Sequence, residues 1–289
     1  MPFTFVRRAT FDTLLLNLAE KEGASVLVGN VVAACDPQRG TVTMTTGQVI
    51  KALYIIGADG ANSVVRRSYP ENVYSEENWK SKLATGLEVV LSRSELTMDI
   101  DQPNIYFGFV RHGYSWVFPR KDEVTVGMGG LNCENRGAFA RLFTDFLSSL
   151  GCPNLPHIRP RAHPIPYGNY LEVPAFGRSL LIGDAAGFAD SLLSEGLFYA
   201  IRSAELVAKA IVGNGKPRTL AVETYVELQR KEIRPHLEYW DEKANILFSG
   251  MSIPVIGPLA ARLIIGRKKK KLFARISKGP PAYRISGAH

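Results

Sequence analysis

Residues 180–196 read LLIGDAAGFADSLLSEG. An apolar run meets Gly183-Asp184, two alanines and Gly187 follow, and Glu195-Gly196 opens the next periodic segment. An acid at the end of a buried strand, among residues too small to cover it, has two readings. Asp at a strand-to-helix turn caps the following helix. Alternatively, the small residues let a ligand reach backbone amides while the carboxylate accepts hydrogen bonds from its hydroxyls. A second stretch bears on the choice. LYIIGADGANSVVRR at 53–67 ends its apolar run in Gly57-Ala58-Asp59-Gly60 and starts a helix near Asn62 or Ser63. In sheets with parallel strands, ligands collect at the carboxyl ends of strands. Two such ends, about 125 residues apart and both flanked by Gly or Ala, point to a nucleotide-cofactor site.

Length and composition set the bounds. A chain of 289 residues with 46% apolar residues can bury a sizeable core, as one large or two coupled domains. Cys35, Cys133 and Cys152 stand far apart without CxxC spacing, which argues against a disulfide framework and a structural zinc site and fits a reducing cytoplasm. His112, His157 and His163 show no ligand spacing, so no metal centre is expected. The opening MPFTFVRRATFD lacks a signal-peptide core, and export is not expected.

The net charge of +8 is unevenly placed. From Arg262 onward there are nine Lys or Arg and no acid, leaving 26 basic against 27 acidic residues before it. The excess follows SIPVIGPLAARLIIG (252–266) as RKKKK (267–271). An apolar segment followed by a basic cluster suits an anionic membrane surface, although a merely solvated tail would look the same. Pro254, Pro258 and three glycines make it a poor spanning helix. No aromatic residues interleave the charges, so nucleic acid is not an expected partner.

The periodicity predicts an amphipathic helix over 11–22, with Phe11, Leu14, Leu15 and Leu18 on one face. Short strands follow: SVLVG, NVVAAC, TVTMTT, QVIKA and LYIIGADG. From 84 to 130 a second set, GLEVVL, IYFGFV, YSWVFPR and VTVGMGG, reads as an antiparallel meander. Then come a helix over 136–151, an extended Pro-rich connection, the strand SLLIGD, and helices over about 195–213 and 219–247. Tyr114, Trp116 and Phe118 alternate and so share one strand face. Such a stripe is ordinarily core; beside a cofactor it would make an apolar wall for a hydrophobic substrate.

With these residues in view, the chain resembles FAD-dependent oxidoreductases of the p-hydroxybenzoate hydroxylase fold. GADGANSVVRR is similar to their second flavin fingerprint and GDAAGFADSLLSEGLFYAIRSAELVA to their third. Within that group YSWVFPR resembles the YxWxFP motif of the geranylgeranyl reductases. The resemblance implies an α/β (α+β) fold: an incomplete, Rossmann-like FAD-binding domain from 1–75 and 165–215, an antiparallel-sheet substrate domain over 76–164, and a helical, basic, membrane-proximal region over 216–289. It implies FAD as cofactor, NADPH or ferredoxin as electron donor, and reduction of C=C bonds in an isoprenoid lipid by a cytoplasmic, peripherally membrane-associated protein. Asp184 would bind the ribityl chain within Gly183-Asp184 and Gly187, and Asp59-Gly60 would lie near the cofactor or its reductant. Ser194, Glu195 and Gly196 would place backbone amides by the flavin ring. Arg8 matches a family position near the cofactor, with Arg7 beside it as the alternative. Tyr114, Trp116 and Phe118 would face the prenyl chain, and Arg120 would attract a diphosphate or phospholipid headgroup. No proton donor is identified.

Two departures stand out. Relatives read DPLTGEG where this chain has Asp190-Ser191-Leu192-Leu193-Ser194-Glu195-Gly196, and no GxGxxG occurs. The GMGG at 127–130 lies in the antiparallel set with no following helix. The expectation is a family member lacking the first βαβ unit, by fragmentation, a downstream start or loss. An aromatic monooxygenase on the same fold and a non-catalytic membrane-associated remnant are the alternatives.

Overall fold

A computed structural model describes residues 6–152, 157–212, 218–251, 272–276 and 283–287. The first elements among the described residues are α1 (Arg8–Lys21) and a small antiparallel sheet of β1 (Val32–Asp36), β2 (Thr41–Met44) and β3 (Val49–Lys51). A second sheet brings together segments distant in sequence: β4 (Ile55–Gly57) lies parallel to β11 (Ser179–Leu181), which pairs antiparallel with β10 (Ala175–Phe176). Around it pack α2 (Val64–Arg67), α3 (Glu76–Ser81), α5 (Leu197–Val212) and α6 (Arg218–Glu232). Helix α5 buries Tyr199, Ser203, Leu206, Val207 and Ala210, the three-to-four spacing of one helical face.

The meander forms the centre of a seven-stranded antiparallel sheet, ordered β12-β13-β6-β7-β8-β5-β9. Its strands are β5 (Leu83–Ser92), β6 (Asn104–Phe107), β7 (Gly113–Pro119), β8 (Glu123–Leu131), β9 (Arg161–Pro166), β12 (Leu272–Ile276) and β13 (Tyr283–Gly287). Period-two alternation gives it two faces. Val117, Val126 and Met128 face α4 (Phe139–Ser149) through Phe143, Phe146 and Leu147. The opposite face carries Tyr114 and Trp116 and packs on Ala244, Leu247 and Phe248 of α7 (Arg234–Met251).

On that face Trp116 stands directly across from Gly127 of β8. A Cβ at Gly127 would overlap the indole ring, so the glycine is what lets the ring lie flat on the strand. Gly127→Ala should cost about 1–3 kcal/mol by forcing the indole off its seat. Chemical denaturation would measure it, and an unchanged midpoint would show that the ring has other room.

Several expectations are corrected. SVLVG at 25–29 is not a strand: Leu27 is 56% and Val28 83% exposed, and among the described residues no strand pairs with it. The first helix starts at Arg8 and buries none of its residues; Leu14, Leu15 and Leu18 are exposed. The helix expected over 219–247 is two, because Pro235 has no N–H to donate into the preceding turn and its ring crowds it. Part of the Pro-rich connection becomes edge strand β9, where Pro164 and Pro166 are tolerated. Within the region expected to be helical and basic, β13 pairs with β6. The segments 252–266 and 267–271 lie outside the described residues.

Candidate functional site

The parallel pairing of β4 and β11 ends at Leu181 opposite Gly57. The two acids therefore emerge from adjacent strand ends, Asp59 two residues and Asp184 three residues beyond the last pair. Their chemistry differs. Asp59 Oδ2 accepts from the backbone N–H of Val64 at 2.7 Å and of Val65 at 3.3 Å, so Asp59 caps α2. Gly60 beside it has φ +72° and forms the tight exit from the strand.

Asp184 caps nothing. It sits in a 3-10 turn over Gly183–Ala185, and no hydrogen-bond donor reaches its carboxylate among the described residues. Burial pushes its carboxyl above the usual range, and the positive charge of Arg8 pulls the other way. A Cβ at Gly196 would come 3.0 Å from Asp184 Oδ1, which places the start of α5 against the carboxylate. Gly187, at φ +82°, lets the turn pass within contact of the Asn169 and Tyr170 backbone. Arg7 and Arg8 differ in their partners. Arg7 pairs with Glu123 at 2.7 Å, whereas Arg8, bound to Asp12 at 3.0 Å, is the cation whose field reaches Asp184.

The turn from 190 to 196 is organised by a residue given no role from sequence. Asp190, 3% exposed, accepts through Oδ1 from Leu192 and Leu193 N–H at 2.9 and 2.6 Å and through Oδ2 from Glu195 N–H at 3.1 Å. Ser194 takes φ +55° and donates its N–H to Asp190 O. The amides of Ser194 and Glu195, two of the three expected to lie by the flavin ring, are thus bonded inside the turn. The Glu195 carboxylate in turn caps α5 by accepting from Phe198 N–H at 2.9 Å. Asp190 had a sequence signal: an acid followed by Ser-Leu-Leu-Ser before a helix is an Asx-type turn opener.

The aromatic stripe reaches this turn directly, since the Tyr114 hydroxyl donates to Leu193 O. From there Tyr114, Trp116 and Phe118 run along β7 with ring centroids 5.7 and 6.3 Å apart, Trp116 and Phe118 stacked. Tyr114 is buried among Phe107, Tyr167, Leu192 and Phe248, so its end of the wall is core; Trp116 and Phe118 are half-buried. Trp116 Nε1 donates to Glu88 at 3.3 Å. Arg120 is not brought to the Tyr114 end: it lies about 20 Å along the strand. There it sits 3.8 Å from the Glu123 carboxylate that Arg7 also holds. An acceptor without donors beside small residues fits the hydroxyls of a dinucleotide, and an aromatic wall that starts at the same turn fits an apolar substrate.

No protein-family profile matches the chain. Among curated proteins it is 29% identical over 260 residues to the chloroplastic geranylgeranyl diphosphate reductase of Arabidopsis thaliana, covering 82% of this chain and 52% of that protein. It is 28% identical to the Synechocystis geranylgeranyl diphosphate reductase, covering 86% and 62%. A digeranylgeranylglycerophospholipid reductase of Methanosphaera stadtmanae is 26% identical, covering 84% and 64%. The chain thus spans about half to just under two thirds of the length of these relatives. Among solved structures it matches a geranylgeranyl bacteriochlorophyll reductase-like protein from Thermoplasma acidophilum with TM-score 0.67 and 21% identity, over 91% of this chain and 72% of that one. A probable FAD-dependent monooxygenase from Pseudomonas aeruginosa matches with TM-score 0.58 and 16% identity, over 87% and 72%. At these identities the structures establish the fold alone.

Proposed function

From a chain that is a homologue of geranylgeranyl reductases on the fold of FAD-dependent oxidoreductases, we propose that it reduces C=C bonds of an isoprenoid lipid, with FAD held at the ends of β4 and β11. One observation carries this reading: the Tyr114–Leu193 hydrogen bond ties the strand bearing the half-buried Trp116 and Phe118 to the turn beside Asp184, which supports a cofactor site and an apolar substrate face held by one framework.

Bound reduced FAD would supply the hydride to one alkene carbon, and a general acid would supply the proton to the other. The residues of this chain bind and orient. The Asp184 carboxylate accepts hydrogen bonds from cofactor hydroxyls and Arg8 balances its charge. Asp190 holds the 190–196 turn rigid, and Trp116 and Phe118 offer an apolar surface that excludes water from a prenyl chain. The Tyr114 hydroxyl is committed to Leu193 O, which makes it a strut of the turn. Arg7 and Arg120 share the single Glu123 carboxylate at the far end of the wall, which leaves one net positive charge there for an anionic headgroup. NADPH or ferredoxin would serve as donor.

No helix among the described residues is long and apolar enough to cross a membrane. The sequence at 252–271, apolar and then basic, supports peripheral attachment to anionic lipid. The test is anaerobic: the protein is loaded with FAD, reduced with dithionite and mixed with geranylgeranyl diphosphate. Reoxidation of the flavin together with product heavier by two hydrogens per bond is expected. Loaded, reduced flavin that stays reduced with every prenyl lipid offered, yet drives hydroxylation of a phenol when oxygen is admitted, would replace this reading with a monooxygenase.

A further inference from the structure

Arg66 is a charged side chain in a place that normally excludes one. It is 1% exposed. Its guanidinium carbon lies 3.4 Å from the centroid of the Trp79 ring and 5.2 Å from that of Tyr74. Nη1 donates to Ala185 O at 2.8 Å and Nη2 to Ala61 O at 2.6 Å, while Nε has no acceptor among the described residues. Trp79 Nε1 donates to the same Ala61 O at 3.2 Å, and Asn169 Nδ2 donates to Trp79 O at 3.2 Å.

Taking a guanidinium out of water costs several kcal/mol, and an apolar side chain of similar volume would fill this space without that cost. What an apolar side chain could not do is bridge. Ala61 follows the Asp59-Gly60 turn, Ala185 follows Asp184, and the fork of the guanidinium spans the two carbonyls, 5 and 119 residues away in sequence. The planar cation on Trp79 fixes the fork from the third side. Removing it would leave the Ala185 carbonyl, next to Asp184, without its donor and the Ala61 carbonyl with Trp79 Nε1 alone.

We propose that Arg66 is a positioning residue for Asp184: its guanidinium staples the turn after β11 to the turn after β4 and so holds the Asp184 carboxylate where cofactor hydroxyls arrive. This rests on the cofactor reading of Asp184 given above. The turn reports on its own integrity, because the amides of Ala185, Ala186, Gly187 and Phe188 bond to Ile182, Gly183 and Asp184 carbonyls within it.

The experiment compares wild type, Arg66→Lys and Trp79→Phe by amide hydrogen exchange without flavin and by FAD titration. Lysine keeps the charge and loses the fork; phenylalanine keeps a ring but weakens the stack and removes the indole donor. Loss of one charge-assisted bond predicts exchange at 185–188 faster by about tenfold or more and FAD binding weaker by a similar factor, with the β5–β8 ladder unchanged. Trp79→Phe should move both readouts the same way by less, and it decides the matter where Arg66→Lys does not fold. Unchanged exchange at 185–188, or acceleration equal to that of the β5–β8 ladder, would overturn the staple. Wild type that takes up no FAD would remove the cofactor reading beneath it, while the exchange pattern still reports whether Arg66 holds the turn.

Discussion

Asp184→Ala is expected to weaken FAD binding about tenfold to a hundredfold while leaving the ligand-free protein no less stable. The first half follows from replacing a charged acceptor of hydroxyl hydrogen bonds, each contributing about 1.5–3 kcal/mol. The second follows from the environment of the carboxylate. Burial raises its proton affinity in the folded chain above that of the unfolded chain, more than Arg8 lowers it. A group raised in this way favours folding fully below its unfolded value, and the advantage is lost as pH rises through the folded value; at neutral pH the ionised group is a cost. The difference in melting temperature between Asp184→Asn and wild type should therefore be zero or positive at pH 7 and shrink as the solution is acidified. Thermal melts across pH with parallel flavin titrations measure both. A variant that melts well below wild type at neutral pH, with flavin affinity intact, would turn Asp184 into a structural residue.

Asp190→Ala is expected to have the opposite signature, a loss of stability on the order of 3 kcal/mol or more. Three backbone N–H groups converge on this carboxylate, and alanine offers none of them an acceptor. The turn carries Ser194 at φ +55° and the Leu193 carbonyl that receives Tyr114, so its loosening should reach the aromatic wall. Urea unfolding gives the magnitude, and tryptophan fluorescence should report the disturbed end of β7. A change smaller than about 1 kcal/mol would mean that the turn holds its shape without the acid.

What the sequence made legible were features that depend on neighbours in the chain. The two strand ends, the alternation of Tyr114, Trp116 and Phe118, and the antiparallel set are local patterns, and parallel pairing of β4 with β11 brings the two Gly- and Asp-bearing strand ends side by side. The two acids looked alike in sequence and proved unlike. Asp59 found amides five and six residues ahead and became a cap, while Asp184 precedes a tight turn whose amides bond inward. Arg66 was unreadable because its partners come from Trp79 and, 119 residues away, Ala185; in VVRR it looks like one more solvated cation. The break at Pro235 was printed in the sequence and overridden by the helical periodicity on either side. Residues 25–29 carry a strand-like composition, but composition cannot supply a neighbour to bond with.

The seat of Trp116 has a consequence for evolvability. Because the indole rests on a backbone with no side chain beneath it, its height above the sheet is set by position 127. Adding a single carbon there would lift the ring toward the α7 side chains that pack on this face. Reshaping the proposed wall would then begin at a glycine beneath it.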